Sequence, residues 1–224
     1  IGDRIHDPRA RSDGSEHGTA VAGIIAAADD DLGVVGVAPG ARIAGVDVLS
    51  PNGTRANTFV SLQDFDITNH SWGTDQAYEV RVLNRDWVDL YSGGLFASTV
   101  LGRDGLGTIN VFAAGNERTD GRHTNDSKLT SDAYVIAVAA VTQTGDVSWY
   151  STPGATLLVA APSSGGVAGI WTPDRRGPAG YSDGRNETAN DRADYTSEFG
   201  GTSAAAPMVS GIVALMLEAN PGLG

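Results

Sequence analysis

The sequence predicts an α/β protein with a mostly parallel sheet, on the basis of two observations. Continuous apolar runs at 109–114, 134–141 and 156–160 are typical of strands that are covered on both faces. Segments with the helical spacing of apolar residues lie between and around these runs, and strands that alternate with helices favour a parallel sheet. With 224 residues and 41% hydrophobic content, the chain has the size of one large domain with a substantial core.

Two of the predicted helices consist almost entirely of small and apolar residues. The first starts at His17 and continues to about residue 28. The second starts at Ser203 and ends at the Asn-Pro-Gly sequence that begins at residue 220. Because the second helix has almost no polar face, we expect it to be buried.

The remaining segments are assigned from the same patterns. Residues 42–49 and 67–73 are predicted strands. Residues 78–103 are predicted to form an amphipathic surface helix that is interrupted at its glycine pair, residues 93–94. Residues 162–201 are polar and rich in glycine without a period, which is typical of a functional or partly disordered stretch.

Composition excludes several kinds of partner. The formal net charge of −12 opposes binding to nucleic acid, so cationic peptides or metal ions suit this protein better. No run of about eighteen apolar residues occurs, and we therefore expect no contact with a membrane. The chain contains no cysteine, which excludes disulfides and thiol catalysis.

Three residues have side chains suited to acyl-transfer chemistry, and each lies at the end of a predicted element. Ser203 lies at a helix N-terminus, where free N–H groups and the helix dipole would stabilise an oxyanion. His17 can accept the serine proton, and the Asn116 side chain can donate to the oxyanion. Taken singly, each residue is more often a helix cap or a turn residue, so the interpretation depends on their occurring together.

Four motifs carry these residues in a recognisable order: HGT at 17–19, NHSWG at 69–73, VFAAGN at 111–116 and GGTSAAAP at 200–207. At these motifs the chain resembles the subtilisin-like serine proteases, in particular their kexin and furin branch with its bacterial relatives. Residues 215–221 resemble the continuation of the kexin serine helix. The resemblance covers nearly the whole chain and implies a doubly wound, mostly parallel sheet with helices on both faces.

The resemblance also implies roles for individual residues in a serine endopeptidase that acts on polypeptides. His17 would be the general base, Ser203 the nucleophile, and Asn116 the side-chain donor of the oxyanion hole, together with the backbone N–H of Ser203. An extended substrate would pair with edge segments of the protein. The expected substrate-binding residues are Ser71, Trp72, Gly73, Gly53 and Thr54.

The third member of the triad has no match in this sequence. In the family an Asp precedes the His and the Ser along the chain. Asp3, Asp7 and Asp13 lie too close to His17 to be assigned this role. We therefore expect residues 1–224 to be a single subtilisin-like catalytic domain, truncated at both ends, that lacks the strand with the triad Asp and the C-terminal helix. We expect this fragment to be nearly inactive by itself.

The acidic loop after the first helix resembles the calcium loop of the family. Carboxylate and carbonyl oxygens are the ligands that calcium prefers. The resemblance assigns the side chain of Asp30 and the carbonyls of three neighbours to the ion, and a solvated acidic turn is the alternative. The implied ligands are Ala28, Asp30, Leu32 and Val34.

The resemblance also bears on which residue would precede the cleaved bond of a substrate. Kexins and furins bind basic residues through carboxylates, but by this resemblance Ser127 and Thr152 occupy two of these positions, and Lys128 is next to the first. Asp75 and Asp126 are each one residue out of register, and a slip of one residue into these roles is the alternative that would keep a partial preference for basic residues. We therefore expect cleavage after large apolar or uncharged residues.

The resemblance further implies a secreted, monomeric protein that is made with a propeptide. A non-catalytic peptide-binding pseudoprotease and a subtilisin-like transpeptidase remain as alternatives.

Overall fold

A computed structural model of the chain describes residues 16–31, 33–46, 59, 61–73, 85–175, 180–182 and 194–224. In these residues it contains a four-stranded parallel sheet in the order β1-β2-β3-β4 and a separate antiparallel pair, β5 and β6. The strands are β1 (Ile67–His70), β2 (Ile109–Ala113), β3 (Ile136–Val141), β4 (Leu157–Pro162), β5 (Ile170–Pro173) and β6 (Tyr195–Phe199). The helices are α1 (Glu16–Ala26), α2 (Arg85–Leu101), the one-turn α3 (Lys128–Ser131) and α4 (Thr202–Ala219).

The parallel sheet carries helices on both faces, as predicted. On one face α4 packs across the strands, where Val209 meets Val111 and Val138. On the other face Tyr91 of α2 packs against Phe112 of β2, and both side chains are fully buried. Burial of one such aromatic side chain contributes roughly 1.5–3 kcal/mol. The α/β fold expected from the sequence is therefore confirmed.

Strands β2 and β4 differ in how well their apolar runs are covered. Successive residues of a strand point to opposite faces, and in β2 Val111 and Phe112 are both fully buried. In β4, by contrast, Leu158 is 73% exposed and Val159 is 39% exposed. The expectation of a strand covered on both faces is confirmed for β2 and is wrong for β4, which lies at the edge of the described sheet.

Helix α1 packs closely beside α4 and β5 because its side chains are small. Ala20 lies against Ala204 and is fully buried. A Cβ atom at Gly23 would lie 2.3 Å from Cδ of Pro173, so only glycine permits this contact with β5. The second helix, α4, is only partly buried in its second half, since Val213 is buried but Ile212 and Met216 are 50% and 51% exposed. The expectation of a wholly buried helix is wrong for the second half.

Among the described residues, α4 is also the one helix that is long and apolar enough to cross a membrane by length and composition alone. The sequence was expected to contain no such segment. The first half of α4 lies in the core against the sheet and contains Pro207 and the buried Ser210. A core helix can meet the same criteria of length and composition, so these criteria do not distinguish a core helix from one that crosses a membrane.

Two further expectations, for the glycine pair of α2 and for residues 42–49, are corrected by the structure. Helix α2 continues through residues 93–94 without a break. The glycine serves packing there, because a Cβ at Gly94 would lie 2.6 Å from the carbonyl oxygen of Phe59. Residues 42–46 belong to neither sheet and 42–45 are exposed, so the predicted buried strand is wrong over its described part. The aperiodic stretch 162–201 contains β5 and β6, which are too short to show a period.

Candidate active site

Ser203 is the second residue of α4, which begins at Thr202 rather than at the serine itself. Its side chain is half-buried and lines a pocket of about 220 Å³. The hydroxyl of Ser71 donates to the carbonyl oxygen of Ser203 at 3.1 Å. In a regular helix that carbonyl would accept from residue 207, but Pro207 has no N–H to donate. Ser71 therefore replaces the missing helical donor and ties the strand β1 segment to the serine.

The turn before α4 leaves one backbone donor free beside Ser203. Gly201, the N-cap, has φ 71° and ψ 175°, a conformation that favours glycine and supplies no side-chain cap. Thr202 N–H donates to Oδ1 of Asn116 at 2.8 Å, and Ala204 N–H donates to the carbonyl of Gly201 at 3.1 Å. The N–H of Ser203 has no acceptor among the described residues. The helix dipole makes such a free donor suited to an anion.

Asn116 follows β2 through Gly115, whose φ of 101° turns the chain. Its Oδ1 accepts from both the N–H and the hydroxyl of Thr202, at 2.8 and 3.1 Å. Gly115 N–H in turn donates to the Thr202 hydroxyl at 3.0 Å. These bonds occupy the amide oxygen, and no bond from the amide NH₂ group to another described residue is present.

Glu117 supports this arrangement and was not found from the sequence. Its Oε2 accepts from Asn116 N–H at 2.8 Å and from the hydroxyl of Thr152 at 3.2 Å. Thr152 also accepts from Glu117 N–H at 3.0 Å. A glutamate beside a strand end is common on protein surfaces, so no sequence signal set Glu117 apart. It lines the same pocket as Asn116.

His17 is the second residue of α1, which begins at Glu16 within the described chain. Its ring stands edge-on to Phe199 of β6, with ring centroids 5.4 Å apart. Burial lowers the pKa of His17 below its ordinary value, and the neighbouring carboxylate of Glu16 partly opposes this by raising it. The histidine is therefore neutral at neutral pH, as a proton acceptor needs to be. No hydrogen bond joins His17 and Ser203, although both residues are described.

The pocket brings together some of the predicted site residues and not others. Ser203 and Asn116 line it, as do Ser71, Trp72 and Gly73, whereas His17 does not. Gly53 and Thr54 lie outside the described residues.

The pocket walls also carry charges of both signs. They include Glu117, Arg122 and Asp126. Asp126 accepts from the backbone N–H of His123 at 3.0 Å. Near the pocket, Lys128 pairs with the buried Asp132 at 2.9 Å. Asp75, the other candidate for a shifted carboxylate, lies outside the described residues.

The candidate calcium loop follows α1 as a tight turn. Gly36 N–H donates to the carbonyl of Ala27 at 2.9 Å, which closes the loop, and Asp31 and Gly33 have φ of 62° and 68°. Ala28, Asp30 and Val34 are described, and Leu32 is not. Within the described chain no group of three or more His, Cys, Asp or Glu residues could hold a metal. A calcium ion here would depend on carbonyl oxygens together with Asp30, and that hard-oxygen donor set fits the ion.

A parallel α/β sheet with a serine at a helix N-terminus and an asparagine amide beside it has the architecture of an α/β serine hydrolase. The model of the subtilase family matches residues 3–224, and the chain belongs to that family.

Curated relatives and solved structures agree with this assignment. The calcium-dependent protease of Trichormus variabilis is 35% identical over 226 residues, which cover 92% of this chain and 33% of the relative. Furin of Mus musculus is 33% identical over 232 residues, which cover 100% of this chain and 27% of the relative. This chain thus spans about a third or less of the length of these relatives.

A solved structure shows the same fold. The serine protease of Aeromonas sobria, in complex with its chaperone, matches with a TM-score of 0.82 and 24% identity over 96% of this chain and 42% of that chain. At this identity the likeness concerns the fold alone.

Proposed function

We propose that this chain carries the catalytic residues of a serine endopeptidase. The Oγ of Ser203 attacks the carbonyl carbon of a peptide bond while His17 accepts its proton, and His17 then passes that proton to the departing amine as the C–N bond breaks. Water hydrolyses the resulting acyl-enzyme. Asn116 and the N–H of Ser203 donate to the oxyanion in both steps. A triad carboxylate from sequence that precedes residue 1 is part of this proposal.

One observation carries the proposal: the free N–H of Ser203 lies beside an Asn116 amide whose oxygen is already occupied by Thr202. Two donors thus remain for one oxygen. The lowered pKa of His17 supports its role as base. Its lack of a hydrogen bond to Ser203 is compatible with this role, because catalytic hydrogen bonds often tighten only when substrate binds.

Labelling with a fluorophosphonate tests this proposal in the protein expressed with its native flanking sequence. We expect Ser203 to be labelled and Ser203→Ala and His17→Ala to lose labelling and peptide cleavage. Ser131→Ala removes another half-buried serine and should change neither. Peptide binding without labelling would favour a pseudoprotease, and labelling with transfer of the acyl group to an added amine instead of water would favour a transpeptidase.

The proposed substrates are polypeptides with large apolar or uncharged residues before the cleaved bond. Asp126 and Glu117 already accept hydrogen bonds from the protein, and Lys128 is paired with Asp132. A buried arginine of the substrate would lack the pairing that offsets its desolvation. Digestion of a peptide library tests this proposal, and cleavage confined to sites after Arg or Lys would contradict it. The expectations of secretion, a monomer and a propeptide stay predictions.

Calcium binding at the loop that contains Asp30 is a second proposal, favoured by the closed carbonyl-rich turn and by the relative named as calcium-dependent. An ion at a hundred times its dissociation constant should stabilise the folded protein by about 2.7 kcal/mol. We expect calcium to raise the melting temperature and Asp30→Ala to reduce that increase. Asp146→Ala, a change at an exposed carboxylate on another loop, is the control. Equal melting curves in calcium and in EDTA would exclude the site.

A further inference from the structure

Two serine hydroxyls contact the backbone of Gly201, and a tyrosine hydroxyl joins the two serines. The N–H of Gly201 donates to Oγ of Ser164 at 3.3 Å, and Oγ of Ser163 donates to the Gly201 carbonyl at 2.7 Å. The Tyr150 hydroxyl joins these two serines, at 3.0 Å from Oγ of Ser163 and 3.1 Å from Oγ of Ser164. Tyr150 and Ser163 are buried, with 6% and 3% of their surface exposed.

These contacts close into a ring. Gly201 N–H donates to Oγ of Ser164, and Oγ of Ser163 donates to the carbonyl of Gly201. The Tyr150 hydroxyl lies between the two serines and shares its one proton between Oγ of Ser163 and the carbonyl oxygen of Ser164, which is 2.9 Å away. Hydrogen bonds arranged in such a series polarise and strengthen one another in a buried site.

The ring holds the N-cap residue of α4. Gly201 has a positive φ and no side chain, and it lies two residues before Ser203. The approach of the ring depends on glycine at the preceding position too, because a Cβ at Gly200 would overlap Oγ of Ser164. Ser148 donates to the carbonyl of Ser164 at 2.6 Å and anchors the ring to the sheet region.

None of the three hydroxyl residues lines the pocket. Tyr150 follows β3, and Ser163 and Ser164 follow β4, so the ring connects the start of α4 to the ends of two strands. Thr202, the next residue, donates its N–H to Asn116. The two sets of bonds together fix the direction in which the N–H of Ser203 points.

We propose that Tyr150, Ser163 and Ser164 are positioning residues for the Ser203 nucleophile. By locking the Gly201 peptide they keep the Ser203 N–H aligned with the amide of Asn116, so that both donors meet the same oxyanion. This inference rests on the proposed serine endopeptidase function. It predicts an effect on the chemical step and not on substrate binding, because the ring does not touch the pocket.

Tyr150→Phe is the first test, since it removes one oxygen and opens the ring while the aromatic ring stays in place. In the protein expressed with its native flanking sequence, we expect kcat for a peptide amide to fall by about 10- to 100-fold, the loss that a small misplacement of a reacting group causes. KM should stay within about twofold, because uniform binding is unchanged. Ser163→Ala should have a similar effect.

Non-additivity and rescue separate positioning from a general loss of stability. Because either change opens the same ring, Tyr150→Phe with Ser163→Ala should reduce kcat no further than the larger single change. Ser164→Thr retains a hydroxyl and should keep more activity than Ser164→Ala. Ser98→Ala removes a fully buried hydroxyl that contacts Leu95 and Asn110, and should lower the melting temperature without lowering kcat.

Unchanged kcat in Tyr150→Phe, or a rise in KM with constant kcat, would overturn the inference. So would fully additive losses in the double variant. Failure of the underlying function has a different signature: the unsubstituted protein would then not be labelled by a fluorophosphonate at Ser203, or Ser203→Ala would keep its activity.

Discussion

The starts of α4 and α1 carry Ser203 and His17, and the protein holds them in different ways. The Ser203 end is held by hydrogen bonds with Asn116 and Ser71, and by the ring of hydroxyls that contacts Gly201. The His17 end packs edge-on against Phe199, and Ala20, one turn later, packs against α4. Hydrogen bonds are directional and apolar contacts are not. Ser203 is therefore held by directional bonds, whereas the described contacts of the His17 ring are less directional.

This difference explains why the two residues can lie on adjacent elements without a hydrogen bond between them. Phe199 ends β6, and residues 200–201 lead directly from it into α4. The short connection keeps the base and the nucleophile on neighbouring elements. We expect the ring of His17 to come within hydrogen-bonding distance of the Ser203 hydroxyl when substrate fills the pocket.

The largest effect should come from Asn116, which serves both the proposed oxyanion hole and the start of α4. Asn116→Ala removes the donor and should reduce kcat by about 10²–10³-fold, as loss of the corresponding donor does in subtilisin. It also removes the acceptor for Thr202 and should cost about 1 kcal/mol of stability, the usual value for a lost cap.

Asn116→Asp separates these two roles. It keeps an oxygen for Thr202 but places a negative charge beside the oxyanion, so kcat should fall at least as far while the melting temperature stays closer to that of the unsubstituted protein. Kinetics and thermal unfolding of both variants provide the test. Substantial activity in Asn116→Asp would contradict the assignment of Asn116 as donor.

A smaller effect on activity is expected from changes at the start of α1, where His17 packs against Phe199, and this effect should depend on pH. Phe199→Leu exposes His17 to more water, so its lowered pKa should rise towards the ordinary value of 6.5 and the acidic limb of the kcat/KM profile should move to higher pH. Glu16→Gln removes the charge that raises this pKa, so the same limb should move to lower pH.

Opposite displacements in these two variants would support His17 as the base. At the optimal pH, kcat in Phe199→Leu should fall by less than about tenfold, because only orientation of a general base is disturbed. Phe96→Leu changes an exposed aromatic residue that contacts Tyr134 and is the control. An acidic limb that both variants leave in place would exclude His17 as the titrating group.

The smallest effect on activity is expected from a change at a second histidine, His70. Such a change should instead alter the stability of the folded protein. Its ring is buried, stacks on Phe112 at 4.2 Å and lies 3.0 Å from the Thr68 hydroxyl through Nε2. Burial lowers the pKa of His70 from 6.5 to about 3. Between these values the unfolded chain binds more protons than the folded one, so stability rises with pH and is lost as the pH falls from 6.5 towards 3.

Urea unfolding at several pH values tests this expectation. His70→Phe should flatten the pH dependence in that window, whereas Phe96→Leu, at an exposed aromatic residue that contacts Tyr134, should leave it unchanged. An unchanged slope in His70→Phe would show that other groups cause the acid instability.

The sequence alone determined the elements that repeat a pattern and the residues that lie in motifs. The apolar run of β2, the small-residue helices α1 and α4, and the positions of Asn116 and Ser203 follow from local spacing and chemistry. These features are local, because periodicity and cap preferences act between residues that are close along the chain.

The tertiary structure decided which of the apolar segments are covered by other elements and which contacts hold Ser203. Residues 42–45 and Leu158 of β4 have strand-like apolar sequences but lie exposed, because burial depends on which neighbours pack against a segment. Glu117 and the ring of Tyr150, Ser163 and Ser164 carry no local signal, since a hydroxyl or carboxylate gains its role only from a partner distant in sequence. Gly201 meets Ser163 across 38 positions of the chain, a contact that only the folded sheet creates.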